Sequence, residues 1–389
     1  MTQTLTGKWS YPTTIWAGPG RIGELPQACR ALGIRRPLFV TDGGLKDSPM
    51  VRTAIESTTR AGLPTVLFAD LKGNPVEANV SSGLDVYRRH KADGVIALGG
   101  GSALDVGKAI AFMSGQTRPI WDFEDIGDWW TRADAAGIAP VVAVPTTAGT
   151  GSEVGRAAVI TNEATHEKKI IFHPKMLPGI VISDPTLSVG LPPAVTAATG
   201  MDAFVHCFES YCTPGFHPLA DGMALEGMRL IATYLPRAYA QGDDIEARAF
   251  MLAAASMGAA AFQKGLGAVH ALAHSVGALY DTHHGLTNAV LLPYVMVHNR
   301  RAIAERSEII GRLLGLSEPS FSGLLAWIVE FRRTLGIPHT LQALKIPLDR
   351  AEEIGAMAQR DPSAAGNPLA VDAAALTAIF RNAVTGTLD

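Results

Sequence analysis

The two halves of the chain carry different hydrophobic patterns, and this contrast limits the fold more than any other feature of the sequence. In the first half, short β-branched runs alternate with segments of helical periodicity, as in βαβ units with a mostly parallel sheet. After a double proline suited to opening a helix, strand signals nearly vanish. We therefore predict an α/β domain over residues 1–192 and an all-helical domain over residues 193–389. The predicted strands are 37–42, 64–68, 94–102 and 139–147; the predicted helices between them are 49–61 and 77–91; segment 115–137 is predicted to be a surface excursion.

Composition argues against several kinds of partner. The 389 residues are 47% apolar, which is enough for two hydrophobic cores. A formal net charge of −3 without any basic run argues against nucleic acid and against an anionic membrane surface. The start, MTQTLTGKWSYPTT, lacks the pattern of a signal peptide, and no window reaches about 18 uncharged apolar residues, so we expect no transmembrane span. Three cysteines in no metal-finger spacing fit a reducing compartment, so we predict a cytoplasmic protein.

Four histidines fall within the segment GAVHALAHSVGALYDTHHG at residues 267–285. His270 and His274 are four apart in an apolar stretch that predicts a buried helix, so both imidazoles lie on one face. His283 and His284 follow just past the predicted helix end. Buried imidazoles need a hydrogen-bond or metal partner. Taken alone, the first pair is more typical of core histidines that are hydrogen-bonded within the protein.

A second pair with the same spacing changes that interpretation. Asp202 and His206 are four apart in GMDAFVHCFESY, which predicts another helix. One carboxylate and three imidazoles form a ligand set suited to Fe(II) or Zn(II). Such a set leaves a net positive charge that can polarise a substrate oxygen. We therefore predict a metal site formed by Asp202, His206, His270 and His284.

Two glycine-rich loops follow predicted strands in the first half. GGGSALDVGKAIA at 99–111 opens a helix, whose first N–H groups can bind phosphate. PTTAGTGSE at 145–153 adds hydroxyl groups and bare backbone suited to ribose and pyrophosphate. Two such loops on one sheet predict a Rossmann-like dinucleotide site. The alternative for the first loop is a tight strand-to-helix turn without a ligand.

Asp42 ends the predicted strand PLFVTD. A carboxylate in this position can bind ribose hydroxyls and repel a 2′-phosphate, which favours NAD over NADP. The alternative is a turn or helix-capping aspartate before Gly43 and Gly44.

Taken together, these motifs resemble the iron-containing (group III) alcohol dehydrogenases. Their order is GGGSALDVGK, PTTAGTGSE, TGMDAFVHCFESY, and GAVHALAH with a downstream HHG. The resemblance extends over nearly the whole chain, starting at YPTTIWAGPGRIGEL. It implies an α/β dinucleotide domain packed on an all-helical domain, with a divalent metal in the cleft facing the nicotinamide. It also implies reversible hydride transfer between an alcohol carbon and nicotinamide C4.

The resemblance assigns roles to individual residues. The four predicted metal ligands match those of the family, and His284 is chosen over His283 because the family's ligand directly precedes the glycine. His274 resembles the histidine beside the substrate, which can pass the hydroxyl proton outward. Family members are commonly dimers or larger, which predicts a homo-oligomer. The matching cofactor contacts are Asn74, Gly100, Gly101, Ser102, Thr146, Thr147, Thr150, Lys168 and Leu187.

Two cations depart from the common family pattern. Arg156 in GSEVGRAAVI and Lys264 in AFQKGLGAVH look like the branch that includes 4-hydroxybutyrate dehydrogenases. A cationic pair near an apolar cleft would attract a carboxylate at the far end of the substrate. The alternative is that each is a solvated or structural charge.

Two other functions fit some of the same residues. Maleylacetate reductases resemble this scaffold but lack the full metal quartet, so its presence argues against them. A metal-dependent hydrolase or lyase would use the site to activate water and the glycine loop to bind a phosphorylated or nucleotide substrate. Oxidation of NADH by an aldehyde separates the dehydrogenase from the hydrolase.

Overall fold

The computed structural model describes residues 13–165 and 167–388. The described residues fall into two units, one ending at Gly190 and the other beginning at Leu191. The boundary predicted between residues 192 and 193 lies two residues beyond this division and stays a prediction. Residues 1–12, which hold most of the segment inspected for a signal peptide and the first residues of YPTTIWAGPGRIGEL, lie outside the described residues.

The first unit contains a six-stranded sheet in which every strand pair is parallel. All four predicted strands belong to this sheet. Three of them, the second, fourth and fifth in the chain, are buried along their whole length, as expected for strands covered on both faces. The strands are β1 (Thr14–Ala17), β2 (Pro37–Val40), β3 (Val66–Phe68), β4 (Gly94–Gly99), β5 (Val141–Pro145), β6 (Ala157–Asn162), β7 (Glu167–Phe172) and β8 (Ile180–Ser183).

The strand order places the ends of β2, β4, β5 and β8 side by side. The sheet runs β1-β8-β5-β4-β2-β3, and β6 and β7 form a separate antiparallel pair. Because parallel strands end at one edge of the sheet, the loops that follow these four strands meet there. The helices of this unit are α1 (Leu25–Ala31), α2 (Pro49–Arg60), α3 (Glu77–His90) and α4 (Gly101–Met113).

The segment 115–137 is not simply a surface excursion. It contains short 3₁₀ helices at Ile120–Phe123 and Trp129–Arg132. Ile120 and Phe123 are buried, and the Phe123 ring packs edge-on against Phe112 with the centroids 4.9 Å apart. The rest of the segment is mostly exposed or partly exposed, as predicted, and its buried anchor residues give no periodic signal in the sequence.

The described part of the second unit, residues 191–388, contains helices joined by loops and no strand, as predicted, and the α/β plus all-helical fold class is thereby confirmed. The stretch Ile245–Lys264 is apolar and long enough to span a membrane by length and composition alone, and half of its apolar window is buried inside the protein. The helices are α5 (Pro193–Cys212), α6 (Pro218–Ala240), α7 (Ile245–Ala261), α8 (Ala268–Tyr280), α9 (His284–Leu313), α10 (Phe321–Thr334), α11 (Ala351–Arg360) and α12 (Ala373–Thr385).

A buried arginine on α10 supports the long helix α9. Pro293 lies inside α9 and has no N–H, so the carbonyl of Ala289 lacks its usual partner four residues on. Arg332, which is 1% exposed, donates from Nη1 to the carbonyls of Ala289 at 3.3 Å and Val290 at 2.8 Å. The guanidinium therefore satisfies the backbone that the proline leaves open.

Replacing Arg332 with methionine is expected to lower the free energy of unfolding by about 2–4 kcal/mol, because buried carbonyls lose charged donors. Urea unfolding followed by circular dichroism measures this loss. The matched control is Arg333→Met, which removes an exposed ion pair with Glu330 and should change stability little. Equal losses of unfolding free energy in the two variants would contradict the role of Arg332 in supporting α9.

Candidate metal centre

Helix α5 holds the first two predicted ligands inside the helical unit. Asp202 and His206 are one helical turn apart and are 2% and 5% exposed. An isolated carboxylate at this depth is unfavourable, so its surroundings must supply donors or positive charge. The helix thus presents one oxygen and one imidazole ligand on the same buried face.

Helix α8 carries His270 and His274, as the spacing predicts. Its N-cap, Gly267, has no side chain, and remote side chains cap the helix instead. The N–H of Val269 donates to Glu209 Oε1 at 2.8 Å, and the N–H of Ala268 donates to Asn367 Oδ1 at 3.2 Å. Contacts from α5 and from the segment before α12 therefore fix the end of α8 beside His270.

The structure separates the roles of the adjacent histidines 283 and 284. His283 is the N-cap of α9, and its Nδ1 accepts a hydrogen bond from the N–H of Leu286 at 3.4 Å. His284 begins the helix. A Cβ at Gly285 would lie 2.5 Å from the carbonyl oxygen of Ala198, so only glycine lets α9 approach α5 this closely. This approach brings His284 next to Asp202.

The predicted ligands converge. One ligand atom each of Asp202, His206 and His270 lies within 4.8 Å of the others, and all three residues are buried. His284 Nε2 lies 3.7 Å from Asp202 Oδ1. The His270 ring centroid is 4.7 Å from that of His206 and 5.3 Å from that of His284. One carboxylate and three imidazoles thus surround one point, and this donor set fits a borderline divalent cation.

Glu209 orients His270 and is absent from the sequence-based ligand set. Its Oε2 lies 2.6 Å from His270 Nδ1. With Nδ1 donating to this carboxylate, Nε2 presents its lone pair to the centre, as in carboxylate–histidine–metal arrangements. Burial lowers the pKa of His270, but the hydrogen bond and charge of Glu209 outweigh it, so the net shift is upward. Glu209 follows His206 by three residues, a helical spacing that could have indicated it.

His274 is paired in the same way with a distant carboxylate. Its Nδ1 lies 2.8 Å from Asp361 Oδ2. Asp361 Oδ1 also accepts the N–H of Ser363 at 2.8 Å. Burial raises the pKa of Asp361, but His274 and the bonds from Ser363 prevail and lower it overall. The His274 and His284 rings stack with their centroids 5.2 Å apart, so His274 borders the ligand cluster.

Asn288 is a further residue of the centre that sequence reasoning missed. Its amide nitrogen lies 2.7 Å from Asp202 Oδ1, 3.0 Å from His284 Nε2 and 3.2 Å from His270 Nε2. It follows His284 by four residues on α9, so the spacing rule that identified the ligand pairs could have indicated it.

Most of the residues predicted to bind a dinucleotide follow strands of the parallel sheet, whereas Lys168 lies on β7 of the antiparallel pair. Asp42 follows β2, and its Oδ2 accepts the N–H of Gly100 at 3.0 Å. Gly99 has a φ of +150°, and a Cβ there would lie 2.3 Å from Asp42 Oδ2. Burial raises the pKa of Asp42, while the Gly100 N–H opposes this shift. The aspartate is thus fixed at the start of the α4 loop.

The remaining predicted cofactor contacts adjoin this loop. The threonine loop after β5 is tied to it by the bond from Thr146 N–H to the Gly99 carbonyl at 3.0 Å. Lys168 Nζ donates to Asn74 Oδ1 at 2.8 Å, and Ser102 Oγ to the Gly73 carbonyl at 2.5 Å. The first-turn N–H groups of α4 can receive an anion here. The other predicted contacts are Gly101 at the start of α4, Thr147 and Thr150 in the loop after β5, and Leu187 in the short helix after β8.

The two cations predicted to bind a substrate anion have different surroundings. Lys264 has a side chain 2% exposed, and its Nζ lies 2.5 Å from Asp221 Oδ1. Burial lowers its pKa, with Asp221 opposing the shift. Arg306 Nη1 also lies 3.7 Å from Asp221 Oδ1, so this carboxylate is shared by two cations, and the substrate role predicted for Lys264 stays a prediction. Arg156, in the first unit, lies with Cζ 5.5 Å from the centroid of the Phe172 ring, and its predicted role stays a prediction.

Two family models match the chain, one in each unit. The model described as "Iron-containing alcohol dehydrogenase" matches residues 12–185. The model described as "Fe-containing alcohol dehydrogenase family, C-terminal" matches residues 196–384. Together they account for most of the sequence.

Individual proteins are similar over nearly their full length. The 1,3-propanediol dehydrogenase of Klebsiella pneumoniae is 37% identical over 382 residues, which cover 96% of this chain and 97% of that protein. The 4-hydroxybutyrate dehydrogenase of Cupriavidus necator is 37% identical over 373 residues, which cover 94% of this chain and 96% of that protein. The crystal structure of sulfoacetaldehyde reductase from Bifidobacterium kashiwanohense in complex with NAD⁺ is similar in fold, with a TM-score of 0.88. The two sequences are 27% identical, and the match covers 99% of this chain and 100% of that chain.

Proposed function

Because the chain belongs to the iron-containing alcohol dehydrogenase family, we propose that this oxidoreductase interconverts a small primary alcohol and its aldehyde with NAD(H) at a divalent metal centre. The observation that carries the proposal is the convergence of Asp202, His206 and His270 on one point, with His284 beside them. Fe²⁺ is the metal we propose, with Zn²⁺ as the alternative that the same ligands accept.

The four side chains present a formal charge of −1 from the carboxylate with three neutral imidazoles. A divalent cation bound there supplies Lewis acidity toward an alcohol or carbonyl oxygen. Glu209 keeps His270 in the tautomer whose Nε2 faces the centre. The buried ligands exclude water from most of the cluster, which strengthens each electrostatic interaction.

His274 is proposed to transfer the hydroxyl proton. Its Nδ1 is held by Asp361, which leaves Nε2 to exchange a proton with the substrate side of the cluster. The carboxylate also stabilises the charge that the imidazole acquires when it accepts the proton. The role of His274 is therefore distinct from that of the metal ligands, although its ring stacks on that of the proposed ligand His284.

The test of this function is a panel of alcohols and ω-hydroxy acids with NAD. Metal-stripped protein is reconstituted separately with Fe(II) and with Zn(II), and NADH formation is followed by absorbance. We expect activity that depends on added metal. No NADH formation or consumption with any alcohol or aldehyde would contradict the proposal and would favour the alternative of a metal-dependent hydrolase or lyase.

NAD is the proposed cofactor, in keeping with the solved sulfoacetaldehyde reductase in complex with NAD⁺. Asp42→Gly is expected to raise the ratio of NADPH to NADH efficiency at least about tenfold, because it removes the carboxylate that would repel a 2′-phosphate. Initial rates with both cofactors measure the ratio. Asp42→Asn, which keeps an acceptor for the Gly100 N–H, separates the effect of charge from that of the loop. An unchanged ratio in both variants would contradict the assignment.

We further propose that the substrate is a small ω-hydroxy acid such as 4-hydroxybutyrate, with Arg156 binding its carboxylate. The relatives support two chemistries equally, since one is named for 1,3-propanediol and the other for 4-hydroxybutyrate. Arginine can bind a carboxylate through two parallel hydrogen bonds. Lys264 is left out of this proposal because it is paired with Asp221.

Wild-type protein is expected to use 4-hydroxybutyrate at least about tenfold more efficiently than 1-butanol, as one charge-assisted contact would give. Arg156→Gln should abolish this preference and leave 1-butanol oxidation unchanged. The kcat/KM values for 4-hydroxybutyrate, 1,3-propanediol and 1-butanol measure this substrate preference in both proteins. Equal efficiency, or a preference for 1-butanol, would remove Arg156 from the substrate site.

Two remaining expectations concern the protein as a whole. We propose a cytoplasmic homodimer that requires neither nucleic acid nor a membrane. Light scattering coupled to size exclusion gives the mass in solution, to be compared with the chain mass of 41.0 kDa. A monomer would contradict the proposed assembly.

A further inference from the structure

Asn288 lies at the centre of the ligand cluster with an unusual set of partners. Its side chain is fully buried. The amide nitrogen contacts Asp202 Oδ1, His284 Nε2 and His270 Nε2 at 2.7, 3.0 and 3.2 Å. The amide oxygen is buried and has no hydrogen-bond partner among the residues that the structure describes. The nitrogen and the oxygen of this side-chain amide therefore have very different surroundings.

This asymmetry shows which end of the amide the site selects. An amide NH₂ carries two hydrogens and the oxygen only lone pairs. Asp202 Oδ1 is an acceptor, and His270 Nε2 is one because Glu209 holds the Nδ1 proton of that ring. With the amide reversed, its oxygen would face the lone pairs of both atoms. A buried oxygen without a partner is unfavourable, so the donor contacts of the amide nitrogen must outweigh that cost.

We propose that Asn288 is a positioning residue that holds Asp202, His270 and His284 together in the metal-free protein, and that its amide competes with the metal for them. This inference rests on the proposed metal centre. The amide hydrogens take the lone pairs that a cation would take. Asn288 thereby keeps the ligands assembled before loading, and it must give up these hydrogen bonds when the cation binds.

Thermodynamic linkage turns this competition into a measurable effect. An interaction that stabilises only the metal-free protein weakens metal binding by the same factor. Removing the amide should therefore lower the melting temperature of metal-free protein and tighten metal binding. For one hydrogen bond to a charged group, the expected gain in affinity is about tenfold.

The experiment compares Asn288→Leu, which keeps the branched shape without donors, with wild type. Co²⁺ is the probe because its visible absorption reports ligand geometry, and its Kd is measured in competition with a chelator. Melting is followed by calorimetry on metal-free and on Co²⁺-saturated protein. Asn288→Ala is the second variant in case leucine prevents folding. Thr287→Val is the matched control, since Thr287 is equally buried on α9 but bonds to Thr282 Oγ1 and the His283 carbonyl.

We expect Asn288→Leu to lower the melting temperature of metal-free protein by roughly 2–4 °C, to lower that of Co²⁺-loaded protein less, and to bind Co²⁺ about tenfold more tightly. Thr287→Val should shift both forms equally and leave the Kd unchanged. An equal loss in both forms for Asn288→Leu, or weaker or unchanged Co²⁺ binding, would overturn the proposal. Wild-type protein that binds no Co²⁺ would contradict the metal centre itself, whereas the metal-free melting comparison tests the contacts of Asn288 independently.

Discussion

His206→Ala and His284→Ala are each expected to lose the bound metal and to lower kcat/KM for alcohol oxidation by roughly a thousandfold or more. The loss corresponds to about 4 kcal/mol of transition-state stabilisation, which is the size expected when a Lewis acid is removed from a developing alkoxide. Metal content by elemental analysis and initial rates of NADH formation measure the two effects. Both substitutions act on side chains that border Asp202 or His270.

The adjacent histidine offers a matched control for this prediction. His283→Asn keeps a side-chain acceptor at the N-cap of α9, so the helix should form normally. Metal content and activity should stay close to those of wild type. If His283→Asn loses the metal while His284→Ala retains it, the ligand has been assigned to the wrong histidine. Full metal content in His206→Ala would contradict the centre as a whole.

Local spacing explains why much of this site could be predicted from the sequence. Asp202 with His206, and His270 with His274, are pairs that one helical turn brings onto a common face. The glycine loops follow strands directly, so their position at the sheet edge depends on short-range order. The family resemblance then selected His284 over His283, a choice that helix geometry alone did not make.

The residues that sequence reasoning missed depend on contacts between distant parts of the chain. Glu209 and Asn288 have a helical spacing to a ligand, but only the folded unit shows that they contact His270. Asp361 is 87 residues from His274 and gives no local signal at all. The contact between Lys264 and Asp221 joins residues that are 43 apart in the sequence, so it too could not be predicted from local spacing.

The strands of the first unit also show why part of the fold could not be predicted from local sequence patterns. Strand β1 is four residues long with mostly exposed side chains, so its pattern does not differ from that of a loop. Strand β8 carries the short apolar run IVIS, which is buried throughout. A short apolar run of this kind is typical of a buried strand, so β8 could have been predicted from the sequence. The β6–β7 pair has a half-exposed pattern and is defined by its mutual hydrogen bonds.

Asp361→Asn is expected to lower kcat about a hundredfold while one equivalent of metal stays bound, and His274→Ala should lower it by at least as much. Asparagine keeps the acceptor for the Ser363 N–H but cannot stabilise a charged imidazole. If Asp361 acts through His274, the double variant should be no slower than His274→Ala. The KM for NAD should not change in any of these variants.

Asp372→Asn is the control, because Asp372 caps α12 through the Ala375 N–H in the same way that Asp361 caps its own short helix. It should leave kcat unchanged, which would show that the loss in Asp361→Asn does not come from a weakened cap. Additive losses in the Asp361 and His274 double variant would instead assign the carboxylate a structural role. Loss of metal in His274→Ala would make His274 a ligand, and the proton would then need another acceptor at the border of the cluster.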